Sequence, residues 1–118
     1  MNRRYTDTGQ TITRGTAFPL VLTLPLDLTD YSVTFTMRSS IADLGTPILQ
    51  CDNTDIVHMN VSGRRVIVNL STADTWKIPE KAGKVFIQVN LAKLADSRAT
   101  LIYALDVLPN IKEEAPAR

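Results

Sequence analysis

His58 is the only histidine in this chain of 118 residues, and Cys51 is the only cysteine. Nucleophilic catalysis of the Ser-His-Asp or Cys-His kind would have to pass through His58. The residue stands between Val57 and Met59 in an apolar stretch that reads as a strand. No strand-turn-helix elbow surrounds any serine. A hydrogen-bonded or half-exposed strand histidine is therefore the simpler reading. Asp52, Asn53, Asp55 and His58 form the densest set of oxygen and nitrogen ligands. An EF-hand loop alternates its acidic positions and places a glycine among them; this segment does neither, and Asp and Asn at such density also mark turns. Asp27, Asp30, Glu80 and Asp96 lie in polar breaks between apolar runs, where solvation accounts for them. The five glycines are widely separated, so no loop cradles a phosphate. The expected reading is a non-enzyme with no catalytic residue, no cofactor and no metal.

The elements that would have to position any such group are strands. Apolar residues recur with period two. Phe18, Leu20, Leu22 and Leu24 share one face. Pro19 lacks an N–H and assigns that stretch to a sheet edge or a bulge. Tyr31, Val33, Phe35 and Met37 alternate with Ser32, Thr34 and Thr36. Weaker runs cover residues 48–51 and 56–61. Val66, Val68 and Leu70, then Val85, Ile87, Val89 and Leu91, then Leu101, Tyr103, Leu105 and Val107 complete the rows. About seven short strands with regular turns predict a single all-β sandwich, Ig-like or jelly-roll-like. Its core should hold Phe18, Leu20, Leu22, Val33, Phe35, Val66, Val68, Val85, Ile87, Val89, Leu105 and Val107. One helical turn interrupts the pattern: Ser71 caps it, Asp74 sits three residues on, and Pro79 stops it. Trp76 should plug the open end of the core from that turn. Residues 1–12 read as an N-terminal extension, residues 13–110 as the sandwich, and residues 111–118 as a charged C-terminal tail; deleting residues 1–10 or 111–118 should leave the sandwich folded.

Composition narrows the function class. The formal net charge is +1, with Arg3/Arg4 and Arg64/Arg65 the only adjacent basic pairs. A nucleic-acid binder carries a larger basic excess or a stripe, so none is expected as a partner. The apolar run from Phe18 to Leu22 is far too short to span a bilayer, and the polar N-terminus has no leader pattern. One cysteine allows no internal disulfide, which fits assembly in a reducing cytoplasm. Phe86 is out of phase with Val85, Ile87 and Val89 and should point away from the main core, either to contact a neighbouring subunit or to pack in a second, minor core under a loop. With Arg3, Arg4, Tyr5, Ile111 and Lys112 in the two extensions, it forms the expected set of partner contacts, made through sheet edges and termini in a homodimer or higher homo-oligomer.

Four segments in order carry a resemblance. Thr13-Arg14-Gly15-Thr16-Ala17-Phe18 is followed by Leu26-Asp27-Leu28-Thr29-Asp30-Tyr31-Ser32-Val33. Val66-Ile67-Val68-Asn69-Leu70-Ser71-Thr72-Ala73-Asp74-Thr75 comes next, and Leu105-Asp106-Val107-Leu108-Pro109 ends the series. The succession resembles a tailed-phage β-sandwich virion family, best known from the N-terminal domain of phage baseplate upper proteins. It departs from the family at Asp30, where glycine is usual, and in ending after the sandwich without the long C-terminal region of those proteins. The resemblance implies a virion structural protein without catalytic residues, made in the host bacterial cytoplasm and placed on the outer surface of the particle. A compact sandwich with short extensions suits a capsid decoration or cement protein bound to the major capsid protein. A tail or baseplate accessory is the alternative, and a small phage enzyme is less favoured.

Overall fold

The computed structural model describes residues 5–41, 45–79, 81–93, 96–99 and 102–110. Alternation becomes strand wherever an apolar row can meet a second one. The resulting elements are β1 (Thr6–Thr13), β2 (Phe18–Thr23), β3 (Ser32–Arg38), β4 (Leu49–Asp52), β5 (Met59–Ser62), β6 (Arg65–Leu70), α1 (Thr72–Trp76), β7 (Lys84–Lys93), β8 (Asp96–Ala99) and β9 (Tyr103–Leu108). One sheet runs β1-β9-β7-β3-β4, with β8 paired to β7; the other runs β2-β6-β5. The central pairs are antiparallel, whereas β1 runs parallel to β9. In immunoglobulin lettering β2, β6 and β5 are B, E and D, and β3, β7 and β9 are C, F and G. The chain is thus a single all-β sandwich of Ig-like order.

The inward rows of both sheets meet in one core. Leu20, Val66 and Val68 from the smaller sheet join Val33, Phe35, Val85, Val89 and Leu105 from the larger, all fully buried. Each large side chain buried there contributes about 1.5–3 kcal/mol, which fixes the register of every strand. Of the expected core only Phe18 is incompletely buried; it packs against the rim. Pro19 lies on β2, an edge strand, where its missing N–H leaves no ladder bond unmade.

Three expectations are corrected. Residues 6–12 are not an extension: they belong to β1, and Ile12 is wholly buried. Gly9 adopts a positive φ, and the β1–β9 register shifts between Asp7 and Thr11. This irregularity breaks the two-residue period that reveals a strand. Deleting residues 1–10 would remove a paired strand and not a free arm. The expected strand over residues 56–61 begins only at Met59, and His58 ends the turn that precedes it. Asp96, placed in a polar break by sequence, opens β8 instead, an exposed strand without an apolar row. The proposed tail, residues 111–118, lies outside the described residues.

Candidate functional site: an outer sheet face and two clamps on a short helix

The outer face of the larger sheet is built by residues that alternate with the core rows. In β3 these are Thr34, Thr36 and Arg38; in β7 they are Lys84, Phe86, Gln88 and Asn90. Register places Arg38 beside Phe86, Phe86 beside Ala104, and Ala104 beside Asp7. Phe86 does point outward, as its phase requires. It is not bare, because Tyr5 packs edge-on against it with ring centroids 5.1 Å apart. Lys84 Nζ donates to Asp106 Oδ1 at 2.6 Å and to Asp7 Oδ1 at 3.3 Å, which ties β7, β9 and β1 across the face. The bond to Asp106 holds the Lys84 ammonium above its ordinary value. Beside these groups lies an open groove of about 320 Å³, lined among others by Thr36, Arg38, Ile41, Gln50, Phe86 and Ile102. Its rim offers hydroxyls, amides and one cation, with an apolar wall.

Helix α1 is five residues long and too short to persist alone. Its N-terminus is a complete capping box: Asp74 N–H donates to Ser71 Oγ, and Ser71 N–H donates to the Asp74 carboxylate. Two clamps hold it in the fold. The first comes from the β1–β2 turn. Arg14 Nε donates to the Ile78 carbonyl at 2.7 Å, and its guanidinium lies over the Trp76 ring at 4.7 Å. Thr75 Oγ1 donates to the Thr16 carbonyl at 2.8 Å. Gly15 has φ +83, and a Cβ there would stand 2.5 Å from two Trp76 ring atoms. Only glycine satisfies both the turn and the ring. Trp76 therefore does not plug the core as expected. It is half-buried and closes over the turn, while Ile78 supplies the buried apolar group.

The second clamp is ionic. His58 Nδ1 lies 2.9 Å from Asp55 Oδ2, and Nε2 lies 3.0 Å from Asp74 Oδ2. A neutral imidazole donates from one nitrogen only, so two carboxylate partners favour the doubly protonated ring. Partial burial opposes that charge, but the bonds and fields of Asp55 and Asp74 prevail, and the His58 pKa rises above 6.5. The His58 bond lowers the Asp55 pKa. For Asp74 burial pulls upward, and the Ser71 bonds together with His58 outweigh it.

This geometry bears on catalysis directly. Both nitrogens of His58 are held by carboxylates, so neither can accept a proton from a hydroxyl nucleophile while those bonds persist. Cys51 is buried on β4, and burial pushes its thiol up to about 11, leaving it protonated near neutrality. Asp52 and Asp55 are used in turn formation: Asp52 Oδ1 accepts from Thr54 N–H at 2.9 Å, and the Asp55 carbonyl accepts from Met59 N–H at 2.8 Å. Asn53 reaches β3 instead, accepting from Val33 N–H through its side-chain oxygen at 3.3 Å. Among the described residues no group of three or more His, Cys, Asp or Glu is arranged to hold a metal ion.

Of the expected partner contacts, Tyr5 and Phe86 come together on the outer face. Arg3, Arg4, Ile111 and Lys112 lie outside the described residues. Sequence reasoning gave no role to Arg14, whose RG dipeptide signals a tight turn, and it put Ile56 and Val57, which are exposed, in a strand.

No family model matches the chain, and no curated protein matches it. Among solved structures it is similar to the crystal structure of a ZIG-8–RIG-5 IG1–IG1 heterodimer, at 12% sequence identity and a TM-score of 0.45, over 90% of this chain and 82% of that chain.

Proposed function

We propose that this chain is a non-catalytic structural protein of a tailed-phage particle, a decoration or cement protein that bridges capsid subunits through protein–protein contacts. The observation that carries the reading is the convergence of three of the four resemblance segments on one joint. The Arg14-Gly15 turn clasps the capped helix that follows β6, and Arg14 N–H donates to the Leu108 carbonyl at the end of β9. The residues that carry the likeness thus form an interlocked mechanical unit, with none of them spent on a reactive centre. The remaining segment supplies a further joint: Asp30 adopts φ +73, the left-handed conformation for which the family uses glycine. The engaged nitrogens of His58 and the protonated Cys51 support a non-enzyme. A formal net charge of +1 favours a protein surface over nucleic acid as partner. The edge strands β2 and β5, and β4 at the border of the larger sheet, offer main-chain groups that another chain can complete.

Location on the outer capsid surface, with the major capsid protein as partner, follows from the same reading. A tail or baseplate position is the second reading, favoured by the baseplate origin of the resemblance. Add-back to particles lacking this protein separates them. Purified chain should bind capsids with saturation at a simple ratio to the major capsid protein. Binding confined to isolated tails would replace the capsid reading, and binding to neither would remove both.

A further inference from the structure

His58 closes the turn between β4 and β5 and also joins that turn to α1. Asp55 Oδ1 accepts from the His58 N–H at 3.2 Å, while Asp55 Oδ2 faces ring Nδ1 at 2.9 Å, so one carboxylate ties the turn at its base. Ring Nε2 faces Asp74 Oδ2 at 3.0 Å. Between the two ends of this tie, Ile56 and Val57 stand exposed. Both carboxylates can be bonded only while both ring nitrogens carry a proton. Once one proton leaves, a nitrogen lone pair meets a carboxylate lone pair, and one of the two contacts has to open.

The surroundings decide which one. The Asp74 side chain is 8% exposed and fixed in the capping box by Ser71 N–H at 2.8 Å, whereas the Asp55 side chain is 36% exposed and can turn to water. Leaving a buried carboxylate unpaired costs more than releasing a solvated one. The remaining proton therefore stays on Nε2, and Asp55 lets go. The charged groups acting on the ring are Asp55 from its own turn and Asp74 from α1, and both favour the protonated form. On the neighbouring β4, Cys51 is protonated near neutrality, and the Asp52 carboxylate is taken up by Thr54. Strand β6 meets His58 through the Asn69 N–H, which carries no charge. We propose that the β4–β5 turn is a proton-operated latch: doubly protonated His58 holds the turn closed on Asp55 and against α1, and loss of the Nδ1 proton releases Asp55 and loosens the turn that displays Ile56 and Val57. The sandwich itself stays folded, so the latch controls the order of an exposed apolar tip. The surviving Nε2 bond belongs to a ring 25% exposed, where water can replace it, so it adds little to global stability.

Heteronuclear NMR of the purified chain from about pH 5 to about pH 9 tests the latch. Both ring nitrogens should be protonated at the acid end, and the neutral ring should be the Nε2–H tautomer. Backbone order parameters of residues 55–58 should fall from about 0.85 to below about 0.6 across the His58 midpoint, while those of β3 and β7 stay near 0.85. Asp55→Asn supplies a side-chain amide that can accept from the His58 N–H and donate to a neutral Nδ1, on an exposed turn where Asn is as suitable as Asp. In that variant the turn should stay ordered across the whole range. An Nδ1–H tautomer, a turn equally ordered on both sides of the midpoint in the parent chain, a loosening that persists in Asp55→Asn, or order lost in β3 and β7 as well would overturn the latch. The measurement uses the chain alone, so its failure leaves the virion reading standing.

Discussion

The two clamps on α1 do the same mechanical task with opposite chemistry. Arg14, Gly15 and Thr16 hold the C-terminal half of the helix by packing, a guanidinium–ring stack and hydrogen bonds to carbonyls. His58 holds the N-terminal half by charge, between Asp55 and Asp74. The first clamp is made by ring packing and by hydrogen bonds to backbone carbonyls, which carry no titrating proton. The second depends on three titratable groups, His58, Asp55 and Asp74. One helix is thereby anchored at one end independently of pH and at the other end conditionally. The conditional anchor and the capping box share Asp74 Oδ2, which accepts from Ser71 N–H and faces His58 Nε2.

The largest effect should come from the first clamp. Gly15→Ala forces a methyl group against the Trp76 ring and puts a Cβ on a left-handed residue. It should cost about 2–4 kcal/mol in urea denaturation, nearly independent of pH. In a Trp76→Ala background the same change should cost only about 1 kcal/mol, the backbone component alone. Equal costs in both backgrounds would show that the ring does not set the glycine requirement.

His58→Ala comes next. It removes a charged partner from Asp74 and should cost about 1–2 kcal/mol near pH 5. The pH dependence has a definite sign. The His58 pKa is raised on folding, so its contribution is complete below the ordinary value of 6.5 and fades as pH rises through the raised value. The Asp55 and Asp74 pKa values are lowered, so theirs is complete above the ordinary 3.8 and fades as pH falls through the lowered values. The clamp therefore contributes most between pH 3.8 and 6.5. Parent and His58→Ala stabilities should converge above the His58 pKa, and an NMR titration of His58 should show a midpoint above 6.5. A midpoint below that value would contradict the ionic clamp.

Ser71→Ala removes the cap that both clamps build upon and should cost about 1 kcal/mol, read from the same denaturation curves. The smallest effect lies outside the clamps. Asp30→Gly relieves a left-handed residue that glycine adopts freely, at some cost in unfolded-chain entropy, and should stabilise by up to about 0.5 kcal/mol. A loss of stability there would mean that the Asp30 side chain serves the fold in its own right.

The parts of the molecule legible in sequence are those governed by one local rule. Val33, Phe35, Val85, Ile87 and Val89 announce their burial by alternation, and Ser71 with Asp74 announces a helix start. Edge strand β2 is legible through Pro19. Strand β1 is not, because the Gly9 irregularity breaks its period, and β8 is not, because it carries no apolar row at all. The clamps depend on contacts between residues far apart in sequence: Arg14 meets Trp76 and Ile78, and His58 meets Asp74. Each of those segments could be noticed separately; only the fold brings them together. His58 illustrates the limit best, since its neighbours Ile56, Val57 and Met59 read as one strand, yet the first two face solvent on a turn.

Under the proposed function this sandwich is a particle component used in many copies. Quantitative mass spectrometry of purified phage particles tests that proposal directly. Hundreds of copies are expected, on the order of the major capsid protein itself, as a symmetric shell requires. A handful of copies matching threefold or sixfold symmetry would contradict the capsid position, and absence from the particle would contradict the claim altogether.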